Sequence, residues 1–365
     1  MEIIHIVLGK ANPDRLNGVN KVVYHLATEQ SKAGKKIQVW GITPNPVHNY
    51  PDRNFNTVLF KAEKFPFFIN KKLKNAVLAN KKAVFHIHGG WVPVFSTLSR
   101  LFAKNRIKYV LTPHGAYNEV AMKRSAFQKK IYFQLFEKVM LQQVHKVHSI
   151  GSSEVAGLRK LVPKAQSFLL PYGFESNQYS SELDKSQDFI IGFVGRLDTH
   201  TKGLDLLIEA FEIFQSHHPE SKLWIIGDGE GKAYLEHYVQ AKKMSNVKLW
   251  GKKFGEEKDT LISKMHVFAH PSRNEGLPTA VLEAAALGTP TIVTQATNVA
   301  EYVSAYKAGI AIDNDNVTEL VRGFNQLHKA YQTGEALHFV TGAKKMLDEV
   351  FSWSVLVEKY DELYQ

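Results

Sequence analysis

Short apolar runs alternate with helix-like segments along the whole chain, and this alternation constrains the fold more than any other feature. In the first half the strand-like runs are EIIHIVLG, KIQVWGI, AVFHIHG, KYVLTPHG, VHSIG and SFLLPYG. The second half repeats the pattern with DFIIGFVG, SKLWIIGDG, NVKLWG, MHVFAHPS, TPTIVT and GIAID. Continuous apolar strands separated by helices are typical of parallel sheets covered on both faces. The sequence therefore predicts an α/β fold.

The length of the chain indicates more than one domain, because 365 residues are too many for one ordinary core. A polar segment with weak secondary-structure signals, residues 173–187, separates the two halves and predicts a hinge. We expect two doubly wound, Rossmann-like domains that face each other across a cleft, one over residues 1–175 and one over residues 188–352. Ligands in such sheets bind beyond the carboxyl ends of the strands.

Composition excludes several other classes of protein. The hydrophobic share of 44% is that of a soluble globular protein, and no run approaches 18 apolar residues, so no membrane span is predicted. The N-terminus opens directly as a strand, which argues against a secretory signal. The absence of cysteine excludes disulfides, thiol nucleophiles and Cys-ligated zinc, and fits a reducing cytoplasm.

Charge is unevenly distributed between the two halves. Residues 1–180 contain 27 Lys and Arg against 9 Asp and Glu, and the remaining residues contain 19 against 26. Two basic segments, residues 60–82 and 120–148, are also rich in aromatics. In the second of them apolar and basic side chains crowd together: Phe127, Ile131, Phe133, Leu135 and Phe136 beside Lys123, Arg124, Lys129 and Lys130.

That composition suits a helix at an anionic membrane surface, and equally a core helix with a solvated basic face. We therefore expect a cytoplasmic protein, peripheral at the inner face of the membrane, with the packed helix as the alternative. No reader module for nucleic acid is present, so no nucleic-acid partner is predicted.

The segment from His270 to Pro290, HPSRNEGLPTAVLEAAALGTP, carries the strongest functional signal. An apolar strand precedes it, Glu275 lies in the loop that follows, and Pro278 is expected in the first turn of a helix that contains Glu283. A helix N-terminus after a strand and loop forms an anion site, because unpaired N–H groups and the helix dipole point outward. Two solvated surface carboxylates are the alternative interpretation.

With its two glutamates and the small-residue helix AVLEAAALG, this segment resembles the nucleotide-sugar-dependent glycosyltransferases of the GT-B fold. It is most similar to the large retaining family, glycosyltransferase group 1, that includes bacterial lipopolysaccharide, capsule and mannosyl transferases. These enzymes carry a Glu, seven residues and a Glu at the start of a C-domain helix. The resemblance covers essentially the whole chain and is strongest from Ile190 to Ile312.

The resemblance implies an acceptor-side N-terminal domain and a C-terminal domain that binds the nucleotide sugar. It also implies that the last helix, residues 353–365, packs back on the N-terminal domain. Glu283 is expected to hold the ribose hydroxyls and Glu275 a sugar hydroxyl. The phosphate cradle is expected from the backbone amides of Gly276, Leu277, Pro278 and Thr279. The base site is expected near Trp250, Gly251, Lys252 and Lys253.

A second loop, Gly195–Gly203, carries Arg196 and Lys202 between an apolar strand and an amphipathic helix. Arg supplies a planar fork and Lys a compact charge, so the two can converge on a diphosphate. A solvated basic loop is the alternative. The resemblance implies that this pair neutralises the departing pyrophosphate, as a metal ion does in other enzymes. We therefore expect no metal, and no cofactor besides the nucleotide-sugar co-substrate.

Two positions in the first half complete the expected site. Gly18 opens a helix where the resembling family has a glycine loop that approaches the donor phosphate, usually with two adjacent glycines; here Asn17 precedes Gly18. His114 ends a strand where the family has a His beside the transferred sugar. His86 and His88 also lie at a strand end, and we interpret them as either structural or acceptor-side.

Several motifs resemble other kinds of site but are better interpreted in another way. Lys232 occupies the position of the last glycine of a dinucleotide fingerprint, so the segment Gly227–Gly231 is interpreted as a tight turn. The acids of Asp313–Asp315 lie in a polar turn, where a solvated loop is favoured over a metal site. No P-loop, Gly-x-Ser-x-Gly elbow or zinc-like His spacing is present.

The sequence thus predicts a retaining glycosyltransferase with a nucleotide-sugar donor, a UDP-sugar being favoured over a GDP-sugar. The expected acceptor is a lipid-linked or other glycan in cell-surface polysaccharide or lipopolysaccharide assembly. A soluble sugar-phosphate or glucan synthase of the same fold is the alternative enzyme. An inactive nucleotide-sugar sensor or scaffold is the alternative from another class. The sugar, the acceptor and the oligomeric state are left open.

Overall fold

The computed structural model describes residues 1–13, 18–117, 122, 126–174 and 185–365. The chain divides into two compact α/β units. The first unit is Met1–Gly173 together with Trp353–Gln365, and the second is Phe174–Ser352. Most of the predicted hinge segment, residues 173–187, lies outside the described residues, as do Asn17, Lys123 and Arg124.

The described strands of the first unit form one parallel sheet. They are β1 (Glu2–Leu8), β2 (Lys36–Thr43), β3 (Asn56–Lys61), β4 (Val84–His88), β5 (Tyr109–Thr112), β6 (Lys146–Ser149) and β7 (Ser167–Leu169). Their order in the sheet is β3-β2-β1-β4-β5-β6-β7, and every pairing is parallel.

Helices cover both faces of this sheet, as continuous apolar strands require. They are α1 (Gly18–Lys32), α2 (Lys71–Ala79), α3 (Pro93–Lys104), α4 (Ala126–Tyr132), α5 (Lys138–Gln143) and α6 (Ser152–Leu161). A π-helical turn, Phe133–Glu137, joins α4 to α5. One core lies around Trp40, Phe85 and Phe102, and a second lies between the sheet and α1.

The second unit contains a six-stranded parallel sheet in its described part. Its strands are β8 (Ile190–Val194), β9 (Lys222–Ile226), β10 (Val247–Gly251), β11 (Val267–His270), β12 (Thr291–Thr294) and β13 (Gly309–Ile312). They follow the order β10-β9-β8-β11-β12-β13. All six correspond to apolar runs in the sequence, and the prediction of two doubly wound parallel sheets is confirmed.

The helices of this unit connect the strands in the order that the sequence pattern predicts. They are α7 (Leu204–His217), α8 (Lys232–Ala241), α9 (Gly255–Ser263), α10 (Thr279–Ala286), α11 (Ala300–Ala305), α12 (Val317–Thr333) and α13 (Ala336–Met346). A π-helical turn, Leu347–Phe351, ends the unit. Among the helices that the structure describes, none has the length and apolar character needed to cross a bilayer.

The last helix, α14 (Trp353–Tyr364), belongs to the first unit. Trp353 packs directly on Gly173, where a Cβ atom would overlap the indole ring. Tyr360 and Tyr364 are fully buried in the core beside α1. This helix therefore completes one face of the N-terminal sheet.

Strand β3 is absent from the sequence prediction. Its side chains are partly exposed, and only Phe60 is fully buried, because β3 lies at the edge of the sheet. An edge strand of this kind lacks the continuous apolar run by which the other strands are identified.

In both sheets the strand order reverses direction at one place. The reversal lies between β1 and β4 in the first sheet and between β8 and β11 in the second. In doubly wound sheets the loops at the carboxyl side of such a reversal diverge and leave a crevice for a ligand. The loops that follow β1, β4, β8 and β11 are therefore the places to examine for a site.

Candidate functional site

Two loops of the second unit meet at the reversal between β8 and β11. Residues 195–203 follow β8, and residues 271–278 follow β11. Gly203 has a φ of +64°, and a Cβ atom there would overlap the carbonyl oxygen of Pro271, so only glycine fits at this contact. The sheet topology thus brings together two of the segments that carry predicted site residues.

Glu275 accepts hydrogen bonds from two side chains of these segments. Lys202 Nζ donates to Glu275 Oε2, and His270 Nε2 lies 3.3 Å from the same oxygen. The side chains of Lys202 and Glu275 are only 16% and 19% exposed. Burial raises the pKa of Glu275, but the hydrogen bond from His270 and the charge of Lys202 outweigh it and bring the pKa to about 2. Glu275 is therefore ionised at neutral pH.

His270 is a residue to which the sequence analysis assigned no role. It ends β11, its ring is buried, and it stacks on Phe193 with 5.6 Å between ring centroids. Burial lowers the pKa of His270, so the ring is neutral at pH 7 and donates its Nε2–H to Glu275. The signal that could have identified it is a polar residue at the carboxyl end of an otherwise apolar strand.

Arg196 and Lys202 lie on one loop, but their side chains have different surroundings. Arg196 is 70% exposed, and its Nη2 atom lies 3.3 Å from Asp198 Oδ2. Asp198 Oδ1 also accepts from the backbone N–H of Thr201 at 3.0 Å, which holds the loop. Lys202 pairs with Glu275, whereas Arg196 pairs with Asp198 and extends into solvent.

Glu283 lies in the second turn of α10 and is paired with Lys258 of α9. Lys258 Nζ donates to Glu283 Oε2 at 2.7 Å. The two side chains are 21% and 18% exposed, so this pair is also largely withdrawn from water. Lys258 was not singled out from the sequence, because α9 and α10 are separated by β11 along the chain.

The predicted phosphate cradle lies at the N-terminus of α10, and one of its four residues cannot serve as predicted. The helix begins at Thr279, and Pro278 is the cap residue rather than part of the first turn. Pro278 has no N–H, so it cannot donate to an anion, contrary to the prediction that includes its amide. Gly276 is anchored because its carbonyl oxygen accepts from the backbone N–H of Asn298 at 3.2 Å. Leu277 is buried and Thr279 is exposed.

The predicted base site lies at the end of the edge strand β10. Trp250 is half-buried against Trp224, with 5.2 Å between ring centroids, and Lys248 Nζ lies 3.5 Å from the Trp250 ring centroid. Gly251 has a φ of +69°, and Lys252 pairs with Asp228 at 3.2 Å. Lys253 pairs with Glu257. One strand, β9, separates this segment from β8.

Gly227–Gly231 is a tight turn, as expected. A Cβ atom at Gly227, with φ of +146°, would overlap the carbonyl oxygen of Gly195, and one at Gly229 would lie 2.6 Å from the carbonyl oxygen of Leu197. These glycines thus let the turn after β9 pack on the loop that carries Arg196.

Arg273 braces the same loops and also escaped the sequence analysis. Its guanidinium binds Asp205 with two hydrogen bonds of 2.7 and 2.9 Å, and its Nε atom donates to Asp315. Its backbone N–H donates to the carbonyl oxygen of Thr201 at 3.0 Å. Bidentate Arg–carboxylate pairs fix geometry well. In the turn Asp313–Asp315, Asp315 is therefore part of an ion pair with Arg273.

In the first unit, Gly18 begins α1, and a Cβ atom placed there would meet no atom of the described residues within 4 Å. Asn20 holds the backbone just after β1, because its Oδ1 accepts from the backbone N–H groups of Lys10 and Ala11 at 3.1 and 2.8 Å. The contacts of the described residues therefore do not require glycine at this position.

His114 follows β5 in a left-handed backbone conformation, with φ of +56°. Glu154 of α6 holds the turn, because its carboxylate accepts from the backbone N–H groups of Gly115 at 2.6 Å and Ile150 at 3.0 Å. Both ring nitrogens of His114 have partners: Nε2 lies 3.2 Å from His88 Nδ1, and Nδ1 is hydrogen-bonded to the Tyr172 hydroxyl. The ring is therefore part of a larger assembly.

That assembly, here called the histidine network, crosses the centre of the N-terminal sheet. It comprises His5, Gln30, His86, His88, Thr112, His114, His148, Tyr172, Tyr364 and the carbonyl group of Leu170. Ring nitrogens of three members lie within 4.8 Å of one another: His5, His86 and His88. This convergence was not predicted, because β1 and β4 are far apart in sequence.

Comparison with known proteins identifies the class of both units. Residues 175–346 match the family model "Glycosyl transferases group 1", and residues 16–176 match "Glycosyltransferase Family 4". An uncharacterized glycosyltransferase of Haemophilus influenzae is 23% identical over 328 residues, 85% of this chain and 86% of that protein. The capsular polysaccharide biosynthesis glycosyltransferase CapM of Staphylococcus aureus is 24% identical over 53% of this chain and 50% of its own length.

Solved structures agree on the fold. Sucrose-phosphate synthase from Thermosynechococcus elongatus superposes with a TM-score of 0.74 at 18% identity, covering 100% of this chain and 98% of that one. Anabaena Alr3699/HepE in complex with UDP gives a TM-score of 0.73 at 13% identity, covering 100% and 99%. The two parallel-sheet units thus have GT-B structural neighbours.

The ion pair of Glu275 generates a prediction on stability. Because the pKa of Glu275 is about 2 in the folded protein against an ordinary 4.5, the ionised form should stabilise the fold at pH 7 by about 3 kcal/mol. The folded-state pKa is the lower one, so this stabilisation is present above pH 4.5 and is lost as the pH falls towards 2.

The measurement is chemical denaturation of the wild type and of Glu275→Gln over a series of pH values. The gap in unfolding free energy should be largest near neutrality and should shrink below pH 4.5. Glu236→Gln, at a 56% exposed position, is the control and should change stability by less than about 0.5 kcal/mol. A gap for Glu275→Gln that is the same at every pH would contradict the assignment.

Proposed function

Since this chain is a group 1 glycosyltransferase with the GT-B fold, we propose that it transfers a sugar, with retention, from a nucleotide-sugar donor to a lipid-linked or polysaccharide acceptor in cell-surface glycan biosynthesis. The name of CapM, in capsular polysaccharide biosynthesis, supports the acceptor class. The UDP complex of the Anabaena neighbour supports a UDP-sugar as donor.

The observation that carries this proposal is the cluster at the reversal between β8 and β11. There Glu275 is held ionised by Lys202 and His270, and Glu283 lies in α10, whose N-terminus opens at the same edge of the sheet. Carboxylates that are buried and already oriented are good acceptors for sugar and ribose hydroxyls, because little ordering remains to be done on binding. A helix N-terminus between them suits the phosphates.

We propose that Arg196 and Lys202 supply the positive charge for the departing nucleotide diphosphate. Arg196 is exposed on its loop and paired with Asp198 across 3.3 Å, an arrangement that an arriving diphosphate can replace. The ionised carboxylate of Glu275 is already engaged by Lys202 and His270, so we assign it to binding rather than to a covalent sugar adduct. A same-face displacement, in which the leaving phosphate assists the acceptor, therefore accounts best for retention.

Two alternative functions can be tested with the same purified protein. The name of the sucrose-phosphate synthase neighbour supports the first, an enzyme with a soluble acceptor such as a sugar phosphate. The second, which is not an enzyme, is a protein that binds the nucleotide sugar without turnover. A thermal-shift panel of UDP-, GDP- and ADP-sugars identifies the donor. Turnover of radiolabelled donor, with lipid-linked and soluble acceptors compared, distinguishes the two enzymes from the binding protein.

We further propose that the N-terminal unit binds an anionic membrane surface through one apolar and basic patch. The residues before α2 and the helix α4 both contribute exposed apolar side chains: Phe65, Phe68, Phe127, Ile131 and Leu135. Phe67 joins the two segments, because it packs on Phe136 with 4.6 Å between ring centroids.

Lysines surround this patch. Lys64, Lys71, Lys72 and Lys130 are exposed, and the first 180 residues carry a net charge of +18. Phe133 does not face outward, because its ring is 4% exposed in the core; Phe136 is half-buried, and Phe127 is 77% exposed. The predicted contributions of Lys123 and Arg124 lie outside the described residues.

Donor binding should depend on Glu283. Glu283→Ala should weaken binding of the nucleotide sugar by about 1–3 kcal/mol, because a charged acceptor for hydroxyls is lost. Isothermal titration against the donor found in the thermal-shift panel measures the change. Glu236→Ala, an exposed position on α8, is the control and should bind as the wild type does. An unchanged dissociation constant for Glu283→Ala would remove this residue from the site.

Replacement of both Arg196 and Lys202 by Ala should lower the single-turnover rate more than it weakens donor binding, because negative charge grows on the leaving group.

Wild-type turnover should also persist in excess chelator, since the pair Arg196 and Lys202 takes the place of a metal. Rapid-quench kinetics with and without chelator measure both effects. Loss of activity in chelator with rescue by Mg²⁺ or Mn²⁺ would overturn the assignment.

Binding to vesicles should require the apolar patch and anionic lipid. At roughly 1 kcal/mol for each well-placed Lys near an anionic surface, a few lysines suffice for reversible binding. Co-sedimentation with anionic vesicles should weaken with salt and on combined replacement of Phe65, Phe68 and Phe127 by Ser. Phe254→Ser, a 64% exposed Phe of the second unit, is the control. Equal pelleting with neutral vesicles, or none with either, would favour a soluble acceptor.

A further inference from the structure

The histidine network is one continuous series of hydrogen bonds, and its direction can be worked out from the end at Leu170. The carbonyl oxygen of Leu170 can only accept, so His148 Nε2, at 2.7 Å, carries a proton and donates it. A neutral imidazole has one N–H, so His148 Nδ1 accepts from the hydroxyl of Thr112 at 2.8 Å. The oxygen of Thr112 must then accept from His86 Nε2 at 2.6 Å.

The same rule assigns the donors and acceptors at Tyr364, on the last helix. Because His86 donates from Nε2, its Nδ1 atom accepts from the hydroxyl of Tyr364 at 2.9 Å. The hydroxyl proton of Tyr364 is used in this hydrogen bond to His86, so the Tyr364 oxygen accepts from Gln30 Nε2 at 3.2 Å. The amide oxygen of Gln30 therefore faces His5 Nε2, 2.7 Å away, and that nitrogen must be the protonated one.

The final steps lead to His114. His5 Nδ1 accepts from His88 Nε2–H at 2.9 Å, and His88 Nδ1 accepts from His114 Nε2–H at 3.2 Å. His114 Nδ1 then accepts from the hydroxyl of Tyr172. The series begins at the Tyr172 O–H and ends two residues away at the carbonyl group of Leu170, and every hydrogen bond runs in one direction.

This assignment requires all five imidazoles to be neutral, and their burial provides the reason. The four inner rings, of His5, His86, His88 and His148, are at most 3% exposed. Burial lowers the pKa of every histidine of the network, to about 4 for His5 and His148 and to about 3 for His114. A protonated ring would donate from both nitrogens and set two donors against each other.

We propose that Tyr364 and Gln30 are positioning residues that hold His114 as the Nε2–H tautomer, with Nδ1 unprotonated towards Tyr172. This inference rests on the proposed function and on the expectation from the sequence that His114 lies beside the transferred sugar. A ring with Nδ1 unprotonated can accept from a ligand hydroxyl that displaces Tyr172, whereas the other tautomer could only donate there. The last helix of the chain thereby determines the chemistry of a residue at the carboxyl edge of the sheet.

Two other interpretations of the network fit the contacts less well. A proton conduit needs an exit that can pass a proton on, but this series ends at a peptide carbonyl group, which cannot. A metal site at His5, His86 and His88 would need their ring lone pairs, and each of the three already uses both ring nitrogens in hydrogen bonds. A role in orienting His114 is consistent with every hydrogen bond of the histidine network.

Tyr364→Phe tests the inference because it removes one hydroxyl and keeps the ring. The amide of Gln30 then loses its acceptor and is free to rotate, so that its Nε2 donates to His5. In that orientation His5 donates from Nδ1, His88 follows, and His114 becomes protonated on Nδ1. The mutant should therefore lose the single tautomer of His114.

Tyr360→Phe is the matched control. Tyr360 lies one turn earlier on the same helix and is fully buried, and its hydroxyl has no hydrogen-bond partner among the described residues. The readout is the pair of ring ¹⁵N shifts of His114 in the full-length protein, because protonated and unprotonated imidazole nitrogens are well separated. Wild type and Tyr360→Phe should show Nδ1 unprotonated, and Tyr364→Phe should show Nδ1 protonated or both tautomers.

Gln30→Met provides a second variant if Tyr364→Phe does not fold, and it should release His114 in the same way. Transfer by Tyr364→Phe should fall about tenfold in kcat/KM relative to Tyr360→Phe, the size of one misdirected hydrogen bond. An unchanged His114 tautomer in either folded variant would overturn the inference, as would bound metal at His5, His86 and His88 in the purified protein. A change of tautomer without any sugar transfer in the wild type would instead count against the proposed function.

Discussion

Because β8 and β11 are neighbours in a parallel sheet, the loops that follow them leave the same edge side by side, and the candidate site depends on this adjacency. Gly203 lets the two loops touch at Pro271, which brings Lys202 to Glu275. Burying two charges is expensive, and the cost is offset only where geometry is good and the remaining lone pairs are satisfied. The hydrogen bond from neutral His270 meets that requirement, and the Arg273–Asp205 pair holds the loops in place.

The two units solve the problem of buried polar groups in opposite ways. In the second unit, Glu275 and Glu283 are each paired with a lysine, and Glu275 stays ionised. In the first unit five histidines lie together without a charge, because burial keeps the rings neutral and each can then be both donor and acceptor. A neutral network needs a consistent direction of donation, and Tyr364 and Gln30 supply the step at which that direction passes from one half of the network to the other.

Much of the architecture could be predicted because it is encoded locally. Twelve of the thirteen described strands coincide with apolar runs, since strands buried on both faces leave little room for polar residues. The exception, β3, is a partly exposed edge strand. Composition left both orientations open for the aromatic segment before α5. Phe127 is exposed and Phe133 lies in the core, because a helix has both an outward and an inward face and composition does not distinguish them.

The sequence by itself determined the fold class, the loops that carry Arg196, Lys202, Glu275 and Glu283, and the tight turn at Gly227, because each is a local pattern of residue type and spacing. The tertiary structure alone decided the partners of those residues. His270, Lys258 and Arg273 became visible only when strands and helices distant in sequence were placed beside one another. The histidine network is the extreme case: its members come from five strands or strand ends and two helices, and packing alone brings their short-range hydrogen bonds together.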